Sequence, residues 1–194
     1  MGCVDHSNDM DDAGCRPVVV VSSCLLGEPV RYDGGECCFP WLTDVLSNHC
    51  QLLPVCPEMA AGLGVPRPPV RLQEEGTALK VVGVDEVSLD VNERLQQAID
   101  GLLDSLSDAD GLILKSRSPS CALADAPRFS ASGAETGHGP GLFALACRKA
   151  PPGLPIIDEQ GLASEAGKVG FLIQVFRYRC RRQGIASVPG SGSG

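Results

Sequence analysis

Four consecutive valines, Val18-Val19-Val20-Val21, constrain this chain more than any other feature. A β-branched run entered through Pro17 and left through Ser22-Ser23-Cys24-Leu25-Leu26-Gly27 reads as a strand with no solvated face, the pattern of a central parallel strand covered on both sides. Two more short apolar runs follow, Cys50–Val55 and Gly111–Leu114, with a fourth at Leu154–Asp158. Between them lie segments with helical character. Phe39–Leu46 reads as a short helix, residues 84–109 carry a 3.6-residue apolar period, and Leu142–Arg148 and Ala166–Arg182 read as two further helices. Leu79–Val82 reads as an edge strand or hairpin arm, and the stretches 57–72 and 122–141 read as loops. Apolar strands alternating with helices predict an α/β fold: a compact three-layer sandwich around a mostly parallel sheet, Rossmann-like. At 194 residues, one such domain fills the chain. The expected layout is a disordered acidic extension over 1–16, the domain over 17–183, and a flexible Gly/Ser tail over 184–194.

In sheets of this kind the ligand crevice lies outside the carboxyl ends of the strands. Strand one ends at Cys24, strand two at Cys56, and the loop after strand three reaches Cys121. Three thiols far apart in sequence are therefore expected to meet at one edge. The chain has ten cysteines but only three histidines, and no CxxC pair. That removes zinc-finger, zinc-ribbon and thioredoxin readings. Three thiolates suit a metal centre with one open position: a cubane normally takes four cysteines, and holding it with three leaves one iron free as a Lewis acid. Zinc held by three cysteines and a water, thiol redox chemistry, and three inert buried cysteines stay open on spacing alone.

Charge bounds the partners. A net charge of −8 argues against a nucleic-acid surface, and the arginines at 177, 179, 181 and 182 read as a solvated helix face. No apolar run reaches the ~20 residues of a membrane helix. The start lacks a secretory h-region, which makes a reducing, cytoplasmic setting the expectation. Oligomeric state is not readable from the sequence.

The neighbours of each cysteine add chemistry. Glu58 follows Cys56 by two residues and is expected to point into the crevice. Arg31, Tyr32 and Asp33, after Cys24, line the mouth or form a salt-bridged turn. Ser116, Ser118 and Ser120 precede Cys121 and offer hydroxyls to a bound ligand.

The segments SSCLLGEPVRYDGG, PVCPEMAAGLGVPRPPVRL and GLILKSRSPSCAL resemble, in order, three signature segments of the DUF523 family, whose characterised members include thiouracil desulfidases. The resemblance runs from about Val18 to Leu162. It implies an oxygen-sensitive 4Fe–4S cluster with one open iron, held by Cys24, Cys56 and Cys121, and an activity that removes sulfur from small thiolated bases without net redox change. It further implies Glu58 as the acid/base residue and Ser118 as the catalytic serine, with Ser116 and Ser120 as nearby candidates; these two serines, and Arg31 and Asp33 at the mouth, are the expected substrate-binding residues. The family commonly has Gly after the third cysteine, where this chain has Ala122. A non-catalytic iron–sulfur or sulfur-carrier module is the alternative of a different class. It would need the thiols but not Glu58 or Ser118.

Overall fold

In a computed structural model of the chain, residues 16–76, 78–85 and 90–184 are described. The acidic extension, apart from Arg16, and the tail beyond Gly184 lie outside the described residues.

The four apolar runs form one parallel sheet in the order β2-β1-β5-β8: β1 is Val18–Ser22, β2 Gln51–Val55, β5 Gly111–Leu114 and β8 Ile156–Asp158. The valine run is central, as its lack of a polar face requires. Val19 and Val21 face one side with Ile113, against Leu42 and Leu46 and against Phe171 and Val175 of α5 (Glu165–Arg182). Val20, Leu112 and Leu114 face the other side, against Leu95 and Ile99 of α3 (Asn92–Ser105) and Phe143 of α4 (Leu142–Cys147). Period-two alternation thus sends successive valines into two separate apolar clusters, and burying both faces holds the helical layers to the sheet. Two short helices, α1 (Pro40–Asp44) and α2 (Pro57–Ala60), start at prolines after β1 and β2.

A second sheet was not expected from the sequence. Its order is β4-β3-β6-β7, with β3 at Val70–Glu75, β4 at Ala78–Gly83, β6 at Ala126–Phe129 and β7 at Glu135–Gly139. Three of these strands lie wholly or partly in stretches read as loops, and His138, in β7, is an exposed strand residue paired with Glu135 at 3.6 Å. The helix read over 84–109 is shorter, because α3 begins at Asn92.

The closing helix is tied to the opposite end of the sheet from the cysteines. Asp110 is fully buried and accepts bonds from the Val18 amide (2.9 Å) and Arg179 Nη1 (2.8 Å), with Arg182 Nη2 at 3.3 Å. The arginine stretch is therefore not a uniformly solvated face: Arg179 is an internal brace. No helix among the described residues is long and apolar enough to cross a membrane.

Candidate active site

β1 lies between β2 and β5, so the chain crosses over in opposite directions on its two sides, and the carboxyl edge at this point is the natural crevice of the sheet. A cavity of about 540 Å³ opens there, lined by Cys24, Cys56 and Cys121 together with Glu58, Arg31, Lys115 and Ser118. The three thiols that sequence spacing set at three strand ends thus share one cavity.

Each is placed by its own local turn. Cys24 sits in the 3-10 turn Ser23–Leu26, which stops at Gly27 in the left-handed conformation (φ 86°), where a side chain would be strained. Cys56 precedes α2, with Pro57 at the first helical position, and its carbonyl accepts from the Ala60 amide at 2.9 Å. Cys121 closes the loop after β5. There the Ser118 hydroxyl accepts from the amides of Ser120 (3.2 Å) and Cys121 (3.1 Å), and the Ser120 carbonyl accepts from Phe143 N at the start of α4 (2.8 Å). Gly141 lets α4 approach this loop: a Cβ there would lie 2.4 Å from the Ser120 carbonyl carbon. Ala122, which follows the third cysteine, is fully buried in the core.

The thiols have an electrostatic problem in common. Burial pushes the Cys24 thiol up to about 12, and the nearby Cys37 and Cys56 sulfurs add to it. Burial and then Glu58 raise Cys56; the same two causes raise Cys121 well above the usual thiol value. Three acidic groups crowded at a partly desolvated edge bind a proton each unless a cationic group joins them. A polynuclear iron group supplies such charge, and thiolates are its preferred donors. The sulfurs line a wide cavity: among the described residues no three His, Cys, Asp or Glu side chains are grouped to hold a single metal ion. The donor chemistry, three thiols lining one cavity, is that of an iron–sulfur group.

Glu58 is held at both oxygens. Its Oε2 pairs with Arg67 Nη2 at 2.8 Å, and its Oε1 accepts from Ser120 Oγ at 2.6 Å. Arg67 is almost wholly buried, and its Nη1 also donates to the carbonyls of Val30 and Gly64, both at 2.9 Å. The carboxylate is thus fixed against the cavity by a buried fork that also joins two of the surrounding loops.

The remaining predicted residues divide. Ser118 and Ser116 line the cavity, but the Ser116 hydroxyl is turned to Glu159 Oε1 (2.5 Å). Ser120 is fully buried and is a partner of Glu58 rather than part of the lining. Arg31 lines the cavity, whereas Asp33 lies outside it and grips Arg31 at 3.3 Å, so the turn is salt-bridged and reaches the mouth as well. Cys50 and Cys147 are buried in the two apolar clusters, and neither lines the cavity.

Three participants were missed. Arg67 is a lone cation between prolines, near in sequence to an expected crevice carboxylate, and that proximity was the available signal. Glu159 follows β8 at the same carboxyl edge as the cysteines, so the rule that found them also reaches it. It takes Lys115 Nζ at 2.5 Å and the Ser116 amide at 2.9 Å. Burial draws the Glu159 carboxyl upward, and the bonds from Lys115 and Ser116 outweigh it, leaving the group below its ordinary value. The third is Cys37, a fourth thiol on the cavity wall, whose position no spacing rule predicts.

Comparison with known proteins gives a consistent result. The profile of the 2-thiouracil desulfurase family matches residues 19–159. Among solved structures, a 4Fe–4S-dependent thiouracil desulfidase, TudS (DUF523), superposes with a TM-score of 0.61 at 28% identity, covering 80% of this chain and 99% of that one. A search of curated proteins gives no match.

Proposed function

The chain belongs to the 2-thiouracil desulfurase family, and on that premise we propose that it is a 4Fe–4S-dependent desulfidase. It would convert thiolated pyrimidine bases such as 2-thiouracil into the carbonyl base and hydrosulfide, with no net redox change. The observation that carries this reading is the meeting of Cys24, Cys56 and Cys121 around one cavity whose wall also presents a fixed carboxylate, Glu58. Cys24, Cys56 and Cys121 would hold the cluster, which when bound would supply a Lewis acid for the thiocarbonyl sulfur.

This chain's residues account for the rest. The reaction replaces C=S by C=O with one water, so both protons must leave the water oxygen, one reaching the departing sulfur to give hydrosulfide and the other passing to solvent. Glu58 is the group on the cavity wall suited to both transfers, as base and then as acid. Arg67 and Ser120 keep its oxygens aimed, which spares the carboxylate a reorientation as the proton moves. Ser118, whose oxygen is already fixed by two amides, offers its hydroxyl proton to the substrate from a set position. Arg31 and Lys115 place positive charge at the wall where an anionic product forms. A storage module would need the thiols alone; the buried fork on Glu58 favours the enzyme. The eight described cysteines are free, as an intracellular reducing setting, the cytoplasm, would keep them.

The test is anaerobic reconstitution with iron and sulfide, followed by incubation with 2-thiouracil. Uracil and sulfide should form in equal amounts, only after reconstitution. An iron-loaded protein that binds 2-thiouracil and releases no sulfide would overturn the reading in favour of a module.

A further inference from the structure

The cavity has four thiols, and the proposed ligand set uses three. The fourth, Cys37, is brought there by a loop tied down along its length. After Gly27 the chain runs outward through a turn closed by Gly34 N to the Arg31 carbonyl (2.9 Å). It then returns, so that Cys37 N donates to the Cys24 carbonyl (3.0 Å) and Phe39 N to the Leu25 carbonyl (2.9 Å). Cys37 is thus pinned beside Cys24, and its sulfur accepts a bond from Arg31 Nη1 at 3.2 Å. That guanidinium is itself held by both oxygens of Asp33, at 3.3 Å each. Neighbouring Cys38 is exposed and does not line the cavity.

Packing accounts for Cys37 only in part: the half-buried side chain packs against an apolar cluster, yet its sulfur lines the cavity with three other thiols and accepts a bond from a cation, and the desulfurisation steps above do not use it. We infer that Cys37 closes the open iron position between turnovers and gives it up to a thiolated substrate. The inference rests on the function proposed above. The exchange is balanced: an iron–sulfur bond to Cys37 breaks as one to the substrate sulfur forms, no electrons are transferred, and Arg31 offers a counter-charge to the displaced thiolate. Such a guard ligand answers a weakness of three-thiol clusters, whose exposed iron is the point at which oxygen and chelators attack. It also competes with substrate, so apparent affinity is reduced by the fraction of sites that are closed.

Wild-type protein, Cys37→Ser, Cys37→Ala and the control Cys38→Ser are reconstituted anaerobically and compared in three respects: iron content, the rate of bleaching in air, and the KM for 2-thiouracil. Both Cys37 variants should load as much iron as wild type, bleach several-fold faster and show a lower KM without a higher kcat, and Cys38→Ser should match wild type. Loss of packing alone would not lower KM. Iron-loaded wild type and Cys37 variants with equal bleaching rates and equal KM would overturn the inference and leave the proposed function standing. Cys37 variants that load no iron would also overturn it, since a guard is not needed to build the cluster. A wild-type protein that takes up no iron overturns both.

Discussion

Replacing Glu58 by Gln keeps the side chain's size and removes its charge and its ability to take up a proton at neutral pH. The structure sets the stability cost. Both hydrogen bonds can survive, with the amide oxygen facing Arg67 and the amide nitrogen facing a rotated Ser120 hydroxyl, but each is weakened: the Ser120 bond becomes neutral, and in the Arg67 bond only the guanidinium keeps its charge. At roughly 1 kcal/mol per bond for that change, the loss is about 2 kcal/mol. For a domain of this size this lowers the melting temperature by about 4–8 °C. Turnover should fall much further, by ~10²–10⁴, the usual worth of general acid–base catalysis. Arg67→Met is the companion change. It leaves the carboxylate, with only 13% of its side chain exposed, without its cation and strips the donor from Val30 and Gly64, for a cost of about 3–5 kcal/mol. The double variant should cost less than the two singles together, because the uncompensated charge is gone. Thermal unfolding of the four proteins and sulfide release from iron-loaded samples are the assays. Wild-type turnover in iron-loaded Glu58→Gln protein would refute the acid/base role, and strictly additive stability losses would refute the coupling of the pair.

Ser118→Ala removes the acceptor of two amides and should cost about 1–2 kcal/mol, with reduced turnover and weaker 2-thiouracil binding, read by thermal unfolding and steady-state kinetics. Glu159 has a folded-state value below its ordinary one, so its contribution to stability is present above the unfolded carboxylate value and is lost as pH falls through the folded one. Glu159→Gln should therefore be less stable than wild type near pH 7, and denaturant titrations should show the gap closing in acid; a gap that does not change with pH would contradict this. Asp110→Asn uncouples the brace from Arg179 and Arg182 and should cost about 3–5 kcal/mol in urea unfolding while iron content stays unchanged, since it lies at the other end of β1 from the cavity.

The parallel sheet was legible because its strands are buried on both faces and their sequences have no choice but to be apolar, as in Val18–Val21 and Gly111–Leu114. The second sheet was not. β3 emerges directly from the proline-rich stretch PRPP, β6 carries Pro127, and β7 is largely exposed and contains two glycines, so none presents an apolar period. In these strands pairing with neighbours overrides weak local preference. The site shows the same split. Cysteines at strand ends could be placed together by topology alone, but Arg67 and Cys37 reach the cavity through loops whose paths are set by backbone hydrogen bonds, such as Arg67 N to the Tyr32 carbonyl at 2.9 Å. The three serines before Cys121 were visible as a group. Which one faces the cavity, which holds Glu58 and which binds Glu159 is decided by the turn at Arg117, in the left-handed region at φ 59°, and by partners 43 and 62 residues away.

The central claim is that three named thiols hold the cluster, and iron bound per chain after anaerobic reconstitution of single Cys→Ser variants tests it most directly. Serine is a poor ligand for such a centre, so Cys24→Ser, Cys56→Ser and Cys121→Ser should each lose most of the iron and the broad visible absorbance. Cys50→Ser and Cys147→Ser, whose thiols lie in the apolar clusters away from the cavity, should retain both. Five variants with the same iron content, whether all loaded or all empty, would contradict the assignment.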